Sequence, residues 1–590
     1  MDRRKFLKNT AYSAAALGVD PFAFCNPPQS KPNVIIILVD DQGYGDFSCH
    51  GNPVLKTPNI DKIAAEGVSF EDFHVAPVCT PTRSQLMTGM DCLRNRASAV
   101  TSGRTMIRRD IPIMAQFFRN GGYATGLFGK WHLGHTYPDR PMDKGFEKCV
   151  WFKGYGLQSD CEFDNDYVNP RYLDGLEQKR ASVYCTDLWF QEAIAWMGQQ
   201  QKKQQPFFVY LPLNAAHMPL WPAEKDAALY RGKVNERAAA FFGMLANVDD
   251  NVGRLDEFLK KSGLYQDTIV IYLTDNGGTA GVQVFNSGLR GSKASNYEGG
   301  HLAACFMRWP KGGVKAGTKL STPAQEQDLL PTLLSLCGVS AKGAAFDGKS
   351  LVPLLQNKKF EDRMFVVQYG QRKRPVKYDA AVIWNQWRLQ NGTELYDIVK
   401  DRAQKNDVAP QYPDAAKQMK DFYEKWWAAQ IEPIVDDPIP VIIDPRKENP
   451  VLLTSIDWWE VDADNIDFIS AASGGPRGGV WNIQVESEGK YQVELRRWPP
   501  HTNKAIGSEG PRVTVNGRQL THKFTLVPAH GAVLETSGVQ QRSSTTPESL
   551  GVVFQVSLPR GRSKMQGWFR DADGKELCGA FYAIVTKLQA

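Results

Sequence analysis

The sequence predicts an α/β fold in which helices flank a largely parallel sheet, followed by a small antiparallel sheet and an all-β sandwich. Three observations lead to this prediction. Apolar strand patterns near the N-terminus end in acidic residues, strand and helix patterns alternate up to about residue 365, and the region after about residue 440 alternates by twos between turn residues. A chain of 590 residues is long enough for three or four structural units.

The first predicted strand is the apolar, β-branched run NVIIILV, which two aspartates follow. A continuously apolar run of this length is typical of a strand buried on both faces. Strand and helix patterns then alternate through TPNIDKIAAEGVSF, IPIMAQFFRNGGYATGLFGK, PFFVYLPL, AAAFFGMLANVDDNVGRLDEFLKKSGL and TIVIYLTDNGG. In such sheets the carboxyl ends of the strands are the expected place for an active site.

The pattern changes at about residue 366, where FVVQYG, DAAVIWNQWRLQ and TELYDIVKD precede the helix pattern AAKQMKDFYEKWWAAQ. Prolines in IEPIVDDPIPVIIDPRKENP indicate a linker. The predicted units are therefore an export signal at 1–29, a catalytic domain at 30–365, a C-terminal subdomain with linker at 366–440, and a β-sandwich at 441–590.

The predicted sandwich carries four tryptophans that could either form its core or stack on a sugar: Trp458, Trp459, Trp481 and Trp498. Tryptophans within strands are more often core residues than ligand platforms, which favours a structural role.

The N-terminus is typical of a twin-arginine export signal, with Arg3 and Arg4 ahead of a short alanine-rich apolar stretch. We therefore expect a periplasmic or extracellular protein, and Cys25 is a weak candidate for a lipid anchor. Later apolar runs stay below 18 residues, so no transmembrane segment is predicted. A net charge of +6 gives no indication of a nucleic-acid partner, although local basic patches could bind an anionic substrate.

Ten cysteines occur at irregular spacing without CxxC pairs, which predicts neither a zinc cluster nor a disulfide framework. Cys149, Cys161 and Cys185 could form a bridge within one insert, and the sequence leaves the pairing open.

Acid and amide side chains follow two of the predicted strands: Asp40 and Asp41 come after VIIILV, and Asp275 and Asn276 come after TIVIYLT. Either pair alone could cap a helix or form a turn. Together, at the ends of two apolar strands, they predict a site for calcium or magnesium, because carboxylate and amide oxygens are the ligands of hard cations.

A further motif, PVCTPTRSQLMTG, resembles the CxPxR signature of the formylglycine-dependent sulfatases of the alkaline phosphatase-like superfamily. By itself, its Cys79 would more often be a small buried hydrophobe. Four other elements typical of that family follow in the family's order: GKWHLG, NAAHMPL, TDNGG and GSKASNYEGG. The resemblance covers about residues 32 to 430, and the sandwich lies outside it.

The resemblance implies that Cys79 is oxidised to formylglycine by a maturation enzyme and that the hydrated aldehyde binds Ca²⁺. One hydroxyl of the hydrate would attack sulfur, and the other would later expel sulfate. The residues that the family uses to hold the metal are here Asp40, Asp41, Cys79, Asp275 and Asn276.

The resemblance also implies roles for five other polar residues. Two would orient the nucleophile and neutralise charge on it, one would deprotonate its second hydroxyl, and two would bind the ester and protonate the leaving alcohol. In that order they are Arg83 and Lys130, His132, and His217 and Lys293.

The sequence departs from the family after YEGG, where His301 begins a segment that replaces an apolar residue, arginine and proline. His301 is a candidate substrate residue, and a structural role is an equal alternative. Arg372 and Arg374 in QRKRPVK are also candidates for contact with a sulfated chain, although such runs more often form solvated loops. The insert WFKGYGLQSDCEFDNDYVNPRYLDG, with three tyrosines, falls where the family builds substrate-facing loops.

An exported enzyme with an added sandwich favours a sulfated polysaccharide or glycan as substrate. Two alternatives remain open at this point. One is a phosphodiester or phosphonate monoester hydrolase of the same superfamily, and the other is a non-catalytic glycan-binding protein in which Cys79 stays unmodified.

Overall fold

The computed structural model describes residues 31–157, 159, 165–369, 372–463, 466–469, 477–510, 513–515, 518–520 and 525–589. The predicted export signal, Cys25 and Cys161 lie outside these residues. Cys149 and Cys185, which the sequence made candidates for a bridge, are free thiols in the structure.

The strands up to residue 325 are β1 (Asn33–Val39), β2 (Val68–Phe70), β3 (Phe73–His74), β4 (Ala124–Lys130), β5 (Lys148–Phe152), β6 (Arg171–Asp174), β7 (Glu177–Arg180), β8 (Phe207–Pro212), β9 (Thr268–Thr274), β10 (Cys305–Arg308), β11 (Thr318–Leu320) and β12 (Ala324–Gln325). The α-helices of the same part and its continuation to residue 355 are α1 (Pro58–Glu66), α2 (Cys79–Thr88), α3 (Cys92–Asn95), α4 (Met114–Asn120), α5 (Cys185–Lys202), α6 (Glu224–Ala227), α7 (Glu236–Lys261), α8 (Glu298–His301), α9 (Leu329–Leu336) and α10 (Val352–Leu355).

Ten of these strands form the central sheet in the described part of the chain, in the order β11-β2-β10-β9-β1-β8-β4-β5-β6-β7, and β3 pairs separately with β12. The five strands from β9 to β5 are mutually parallel, whereas β10 and β6 pair antiparallel at the two sides of this block. The predicted α/β class with a mixed, largely parallel sheet is therefore confirmed.

Both faces of the sheet are buried, and strand β1 shows this directly. Val34, Ile36 and Leu38 enter a core that also contains residues of α4 and α9. Ile35, Ile37 and Val39 enter a second core with residues of α1, α5 and α7. Because successive side chains of a strand point to opposite faces, a continuously apolar strand fits this two-sided burial.

The next region contains a four-stranded antiparallel sheet of β13 (Phe365–Gln368), β14 (Ala380–Trp384), β15 (Trp387–Gln390) and β16 (Glu394–Asp397). Helix α11 (Pro413–Trp426) packs on it through Met419 and Tyr423. This is the small antiparallel sheet with one helix that the sequence predicts.

Two sheets form the C-terminal sandwich, one in the order β17-β19-β26-β23-β24 with β27 paired to β26, and the other in the order β18-β28-β20-β25. Its elements are β17 (Val441–Ile443), β18 (Val451–Thr454), α12 (Ile466–Ile469), β19 (Trp481–Val485), β20 (Gly489–Arg496), β21 (Val513–Val515), β22 (Arg518–Leu520), β23 (Gly531–Thr536), β24 (Val539–Ser544), β25 (Val552–Leu558), β26 (Gly561–Arg570), β27 (Glu576–Gly579) and β28 (Tyr582–Lys587).

The tryptophans of the sandwich are mostly core residues. Trp458, Trp481 and Trp498 have at most 1% of their surface exposed and pack in the core of the sandwich. Trp459 is partly buried. None of the helices that the structure describes combines the length and the apolar composition that a membrane span requires.

Candidate active site

The carboxyl ends of β1 and β9 bring the two predicted acid and amide pairs together. The strands are parallel neighbours with Val39 opposite Thr274, so the residues that follow them leave the sheet at the same edge. The backbone N–H of Asp41 donates to Oδ1 of Asp275 at 3.2 Å, and Nδ2 of Asn276 donates to Oδ1 of Asp41 at 3.0 Å. Asp41 adopts a left-handed φ of 63°, a conformation that aspartate and asparagine adopt more readily than most other non-glycine residues.

Cys79 is the first residue of helix α2, and every residue of that helix is buried. The thiol of Cys79 and carboxylate oxygens of Asp40 and Asp275 all lie within 4.8 Å of one another. Arg83 follows one helical turn later on the same face. Its Nη2 donates to Oδ2 of Asp40 at 2.9 Å and to Oδ2 of Asp275 at 2.8 Å. The helix therefore presents a thiol and a guanidinium to the sheet edge.

Lys130 ends strand β4 and adds a second cation, with Nζ 2.5 Å from Oδ2 of Asp40. Burial opposes ionisation of Asp40, but Lys130 and Arg83 outweigh it and hold the pKa of Asp40 well below its ordinary value. Burial and the neighbouring Asp40 raise the pKa of Asp275 to about 6. Burial also raises the pKa of the Cys79 thiol, although Lys130 and Lys293 act against the shift. The unmodified side chain is therefore a thiol at neutral pH.

His132 lies two residues beyond β4 in a left-handed conformation, with φ of 60°. Its Nε2 donates to the backbone carbonyl of Val100 at 3.0 Å, because a carbonyl oxygen can only accept. Nδ1 has no hydrogen-bond partner among the described residues. Burial and the charge of Lys130 hold the pKa of His132 well below its ordinary value. His132 is thus a neutral imidazole whose Nδ1 carries a free lone pair.

His217 and Lys293 complete the cluster on its outer side. Nδ1 of His217 donates to the carbonyl of Met218 at 2.7 Å, which leaves Nε2 as the basic atom. Burial lowers the pKa of His217, while Asp41 opposes this shift and Lys293 adds to it. Nζ of Lys293 donates to Oδ1 of Asp41. Burial alone would lower the pKa of Lys293, but Asp41 outweighs burial and raises it.

Two tyrosines of the predicted substrate-facing insert belong to this site, and sequence reasoning did not single them out. The ring of Tyr155 lies between the two histidines, with centroids 5.9 Å from His132 and 6.0 Å from His217. The buried hydroxyl of Tyr167 lies 2.7 and 2.8 Å from the carbonyl oxygens of Asn214 and His217, which share its single proton. The aromatic content of the insert was the available signal, but it does not indicate which ring faces the site.

The structure places His301 in a different cluster and without exposed surface. Its Nδ1 lies 2.9 Å from Nδ1 of His74, and its Nε2 donates to the carbonyl of Asn296 at 2.9 Å. Arg388 joins the cluster through Glu298 and Asp72, each at 2.7 Å. Since both ring nitrogens of His301 are engaged inside the protein, the structure favours the structural alternative over contact with substrate.

Arg372 and Arg374 are exposed, and both form ion pairs with surface carboxylates. Nε of Arg372 lies 2.9 Å from Asp379, and Arg374 pairs with Asp436. More than half of each arginine side chain is accessible to solvent. These pairs are typical of a solvated loop.

The side-chain oxygens at this edge of the sheet are suitable ligands for a hard cation. Oδ1 of Asp40 and Oδ1 of Asn276 are buried and have no hydrogen-bond partner among the described residues. A buried oxygen without a partner is costly, and a bound cation would satisfy both oxygens. The other possible ligand atoms nearby are carboxylate oxygens of Asp41 and Asp275, the thiol of Cys79 and a ring nitrogen of His217. Oxygens predominate in this set, and oxygen ligands suit Ca²⁺ or Mg²⁺ better than Zn²⁺.

Comparison with known proteins agrees with this geometry. A sulfatase family model matches residues 32–339. Mouse N-acetylgalactosamine-6-sulfatase is 29% identical over 404 residues, which are 62% of this chain and 75% of that protein. Human arylsulfatase A is 30% identical over 362 residues, which are 55% of this chain and 68% of that protein.

Among solved structures, Ps i-CgsB in complex with k-i-k-neocarrahexaose superposes with a TM-score of 0.64 at 28% identity, covering 69% of this chain and 94% of the other. The family match spans more than half of this chain and contains Cys79, the acid and amide pairs that follow β1 and β9, and the five basic residues around them: Arg83, Lys130, His132, His217 and Lys293. The chain therefore belongs to the sulfatase family and is a sulfuric ester hydrolase.

Proposed function

We propose that this chain is an exported sulfatase that removes sulfate from a sulfated polysaccharide or glycan, using Ca²⁺ and a formylglycine formed from Cys79 by a maturation enzyme. The observation that carries the proposal is the position of Cys79. It begins a buried helix, lies within 4.8 Å of Asp40 and Asp275, and has a raised thiol pKa. A buried thiol of this kind is a weak nucleophile, so oxidation of Cys79 supplies what the unmodified side chain lacks.

Calcium would be held by the oxygens of Asp40, Asp41, Asp275 and Asn276 beside the modified residue 79. When present, the hydrated formylglycine supplies an oxygen nucleophile and calcium supplies a Lewis acid that polarises the sulfate group. The two buried oxygens without hydrogen-bond partners, on Asp40 and Asn276, support this assignment.

The charges of the site favour an anionic substrate. Three carboxylates, those of Asp40, Asp41 and Asp275, are matched by three cations, and a divalent metal ion would leave an excess positive charge of two. The cations are Arg83, Lys130 and Lys293. Fixed cations in a buried site stabilise charge that develops in the transition state without reorganising.

Proton transfers are assigned from the hydrogen-bonding state of each side chain. His132 would accept a proton at Nδ1, since its Nε2 is engaged with Val100. Lys293 is protonated and can donate toward the leaving oxygen. His217 is neutral in the free enzyme, and a bound sulfate would raise its affinity for a proton by adding negative charge beside the ring. His217 would then also donate to the leaving alcohol.

The carbohydrate part of the proposal rests on the relatives and on Tyr155. One similar protein is an N-acetylgalactosamine-6-sulfatase, and a similar solved structure was determined with a neocarrahexaose. Tyr155 is partly exposed between His132 and His217, and an aromatic face there can pack against a sugar ring. The proposed export rests on the twin arginines of the N-terminal sequence.

The test is an assay of enzyme that has been produced together with a formylglycine-generating enzyme, using a panel of sulfated oligosaccharides. We expect sulfate release from at least one saccharide, loss of activity on chelation, recovery with Ca²⁺, and a peptide mass at residue 79 that corresponds to formylglycine. Cys79→Ala should release no sulfate, whereas Cys49→Ala, at an exposed cysteine, should behave like the wild type.

Two results would contradict the proposal. Faster turnover of phosphodiester or phosphonate substrates than of any sulfate ester would assign the site to the other hydrolases of the superfamily. Saccharide binding without turnover, by protein whose residue 79 retains the mass of cysteine after coexpression, would support a non-catalytic glycan-binding protein.

A further inference from the structure

The loop that fixes the His132 ring is held by the C-terminal sandwich. Val100, whose carbonyl accepts from His132, begins the short loop of residues 100–104. The backbone N–H of Gly103 donates to the carbonyl of Ile456 at 2.9 Å, and the backbone N–H of Glu460 donates to the carbonyl of Ser102 at 3.2 Å. These two bonds join the loop to residues 455–462 of the sandwich.

Side chains reinforce this junction. Oγ of Ser102 donates to Oδ1 of Asp462 at 2.7 Å. The guanidinium of Arg104 stacks on the ring of Trp459 at 4.2 Å, a cation–π contact. Ser102 is buried and pairs with the sandwich from a loop that carries no regular secondary structure. The loop therefore depends on the sandwich for part of its polar and aromatic contacts.

The backbone of this loop needs external support. Ser102 and Gly103 have successive left-handed φ values of 63° and 68°. For serine this conformation costs energy, and it persists where surrounding contacts determine it. A Cβ added to Gly103 would meet the carbonyl of Asp457 at 3.1 Å, so the sandwich lies directly against this turn.

The sandwich also contacts the segment that leaves His132 on the other side. Nε2 of His135 lies 3.6 Å from Oδ2 of Asp457. The backbone N–H of Tyr137 donates to Oε2 of Glu448 at 2.8 Å. His132 is thus bracketed by two segments of the catalytic part, and both are tied to the sandwich.

We propose that residues 455–462 of the sandwich are a positioning element for His132. Residues 455–462 fix the loop that carries the Val100 carbonyl. The hydrogen bond from His132 to this carbonyl then keeps the ring proton on Nε2 and leaves Nδ1 without a proton. The inference rests on the proposed function only in taking His132 as the group that exchanges a proton with the reacting atoms. It gives the sandwich a role in turnover although none of its side chains needs to touch substrate.

The first test uses the double variant Trp459→Ala/Asp462→Ala in the full-length enzyme, with nitrophenyl sulfate as the substrate. We expect kcat to fall about tenfold while KM changes less than about twofold, because small displacements of a catalytic group reduce turnover more than binding. Asp462→Asn keeps an oxygen that can accept from Ser102 and should retain most of the wild-type kcat. His501→Ala is the matched control, since it removes a different contact of the sandwich with the catalytic part, the one to Arg171 at 2.8 Å.

The second test reads the His132 ring directly, in protein with unmodified Cys79 and without substrate. Histidine labelled with ¹³C and ¹⁵N reports the tautomer of each ring, and the variant His132→Gln identifies the signals of residue 132. We expect the Nε2–H tautomer in the wild type and in His501→Ala, and a changed or mixed tautomer in the double variant. If the double variant does not fold, Asp462→Ala alone serves in both tests.

An unchanged His132 signal in a folded variant would overturn the proposal whatever happens to kcat, because the sandwich would then act on stability alone. The proposal would also be overturned if His501→Ala lost as much kcat as the double variant Trp459→Ala/Asp462→Ala, or as Asp462→Ala alone. A wild-type enzyme that releases no sulfate would instead contradict the proposed function, and the His132 signals would still decide the positioning role.

Discussion

Two buried clusters in this chain are built from the same types of side chain: one surrounds Cys79 and the other joins His74 to His301. Each combines histidine, carboxylates and a buried arginine. They differ in how completely their polar atoms are paired. Around Cys79, oxygens of Asp40 and Asn276 and Nδ1 of His132 have no partner among the described residues. In the other cluster, both histidine rings and the guanidinium of Arg388 are fully engaged.

The hydrogen bonds of the second cluster explain why we call it the closed cluster. Nε2 of His301 donates to a carbonyl, and Nε2 of His74 donates to Asp72 at 2.8 Å. The two Nδ1 atoms lie 2.9 Å apart, so the rings also contact each other. The guanidinium of Arg388 is paired with both carboxylates, Asp72 and Glu298. A cluster whose polar atoms are hydrogen-bonded to one another holds the fold, whereas one with free oxygens can bind a ligand.

The largest effect on catalysis should come from changing the cluster around Cys79, which we call the open cluster because some of its polar atoms have no partner among the described residues. Asp40→Asn removes the carboxylate that Arg83 and Lys130 share, and we expect kcat/KM on sulfate esters to fall at least about 10³-fold. The matched control is Asp46→Asn, at a carboxyl whose pKa burial raises to about 7, so that the neutral amide is a close substitute. Comparable losses in both variants would remove the distinction between the open site and ordinary buried carboxyls.

Changing the closed cluster should affect stability instead. Arg388→Met leaves Asp72 and Glu298 without their cation, and we expect a loss of about 3–5 kcal/mol in the free energy of unfolding, measured by denaturant titration. The kcat of the folded fraction should stay within about twofold of the wild type. Arg374→Met, at an exposed ion pair, should cost less than about 1 kcal/mol. A large loss of kcat at unchanged stability would instead connect the closed cluster with catalysis.

A smaller and substrate-dependent effect is expected at His217. If it protonates the leaving alcohol, His217→Ala should reduce turnover of a sulfated sugar about 100-fold and that of a nitrophenyl sulfate less than about fivefold, because nitrophenolate leaves unaided. His301→Gln should leave the ratio of the two rates unchanged. Equal losses for both substrates in His217→Ala would assign this histidine to sulfate binding, and a changed ratio in His301→Gln would restore the sequence-based hypothesis for that residue.

The smallest effect concerns Glu326, which supports the start of α2 by accepting from the backbone N–H of Ala76 at 3.1 Å. Burial raises the pKa of Glu326 to about 8. The folded state therefore keeps a proton that the unfolded state has released, and stability should fall as pH rises from about 4.5 to about 8. Glu326→Gln should make this pH dependence shallower and raise the free energy of unfolding at pH 8 by about 1 kcal/mol. Glu535→Gln, at an exposed position, should leave the pH dependence unchanged.

Sequence patterns predicted the class of the fold because its central strands are apolar on both faces and end in acids, as β1 and β9 do. The sequence placed Asp40 and Asp275 at one edge, since neighbouring parallel strands end together. The sequence left His301 open between contact with substrate and a structural role, because a histidine beside motif residues gives no information on whether its ring nitrogens are already engaged. That depends on residues distant in sequence, such as His74 at the end of β3 and Arg388 in β15.

The contacts by which the sandwich supports His132 also could not be predicted from the sequence. Ser102 and Asp462 are 360 residues apart, and neither belongs to a motif. Three of the four tryptophans, Trp458, Trp481 and Trp498, are core residues as the sequence favours, and alternation by twos places Trp481 on the inner face of its strand. Tyr155 is one of three tyrosines in its segment, and only the fold of the insert brings its ring between His132 and His217.

The measurement that tests the difference between the two clusters most directly is a calcium titration of chelator-treated protein by calorimetry. The wild type should bind one Ca²⁺ per chain. Asn276→Ala, which removes a free oxygen without leaving a buried charge unpaired, should bind at least about tenfold more weakly, whereas Asp72→Asn in the closed cluster should bind like the wild type. Calcium binding that is unaffected by Asn276→Ala, or that is lost in Asp72→Asn, would contradict the account.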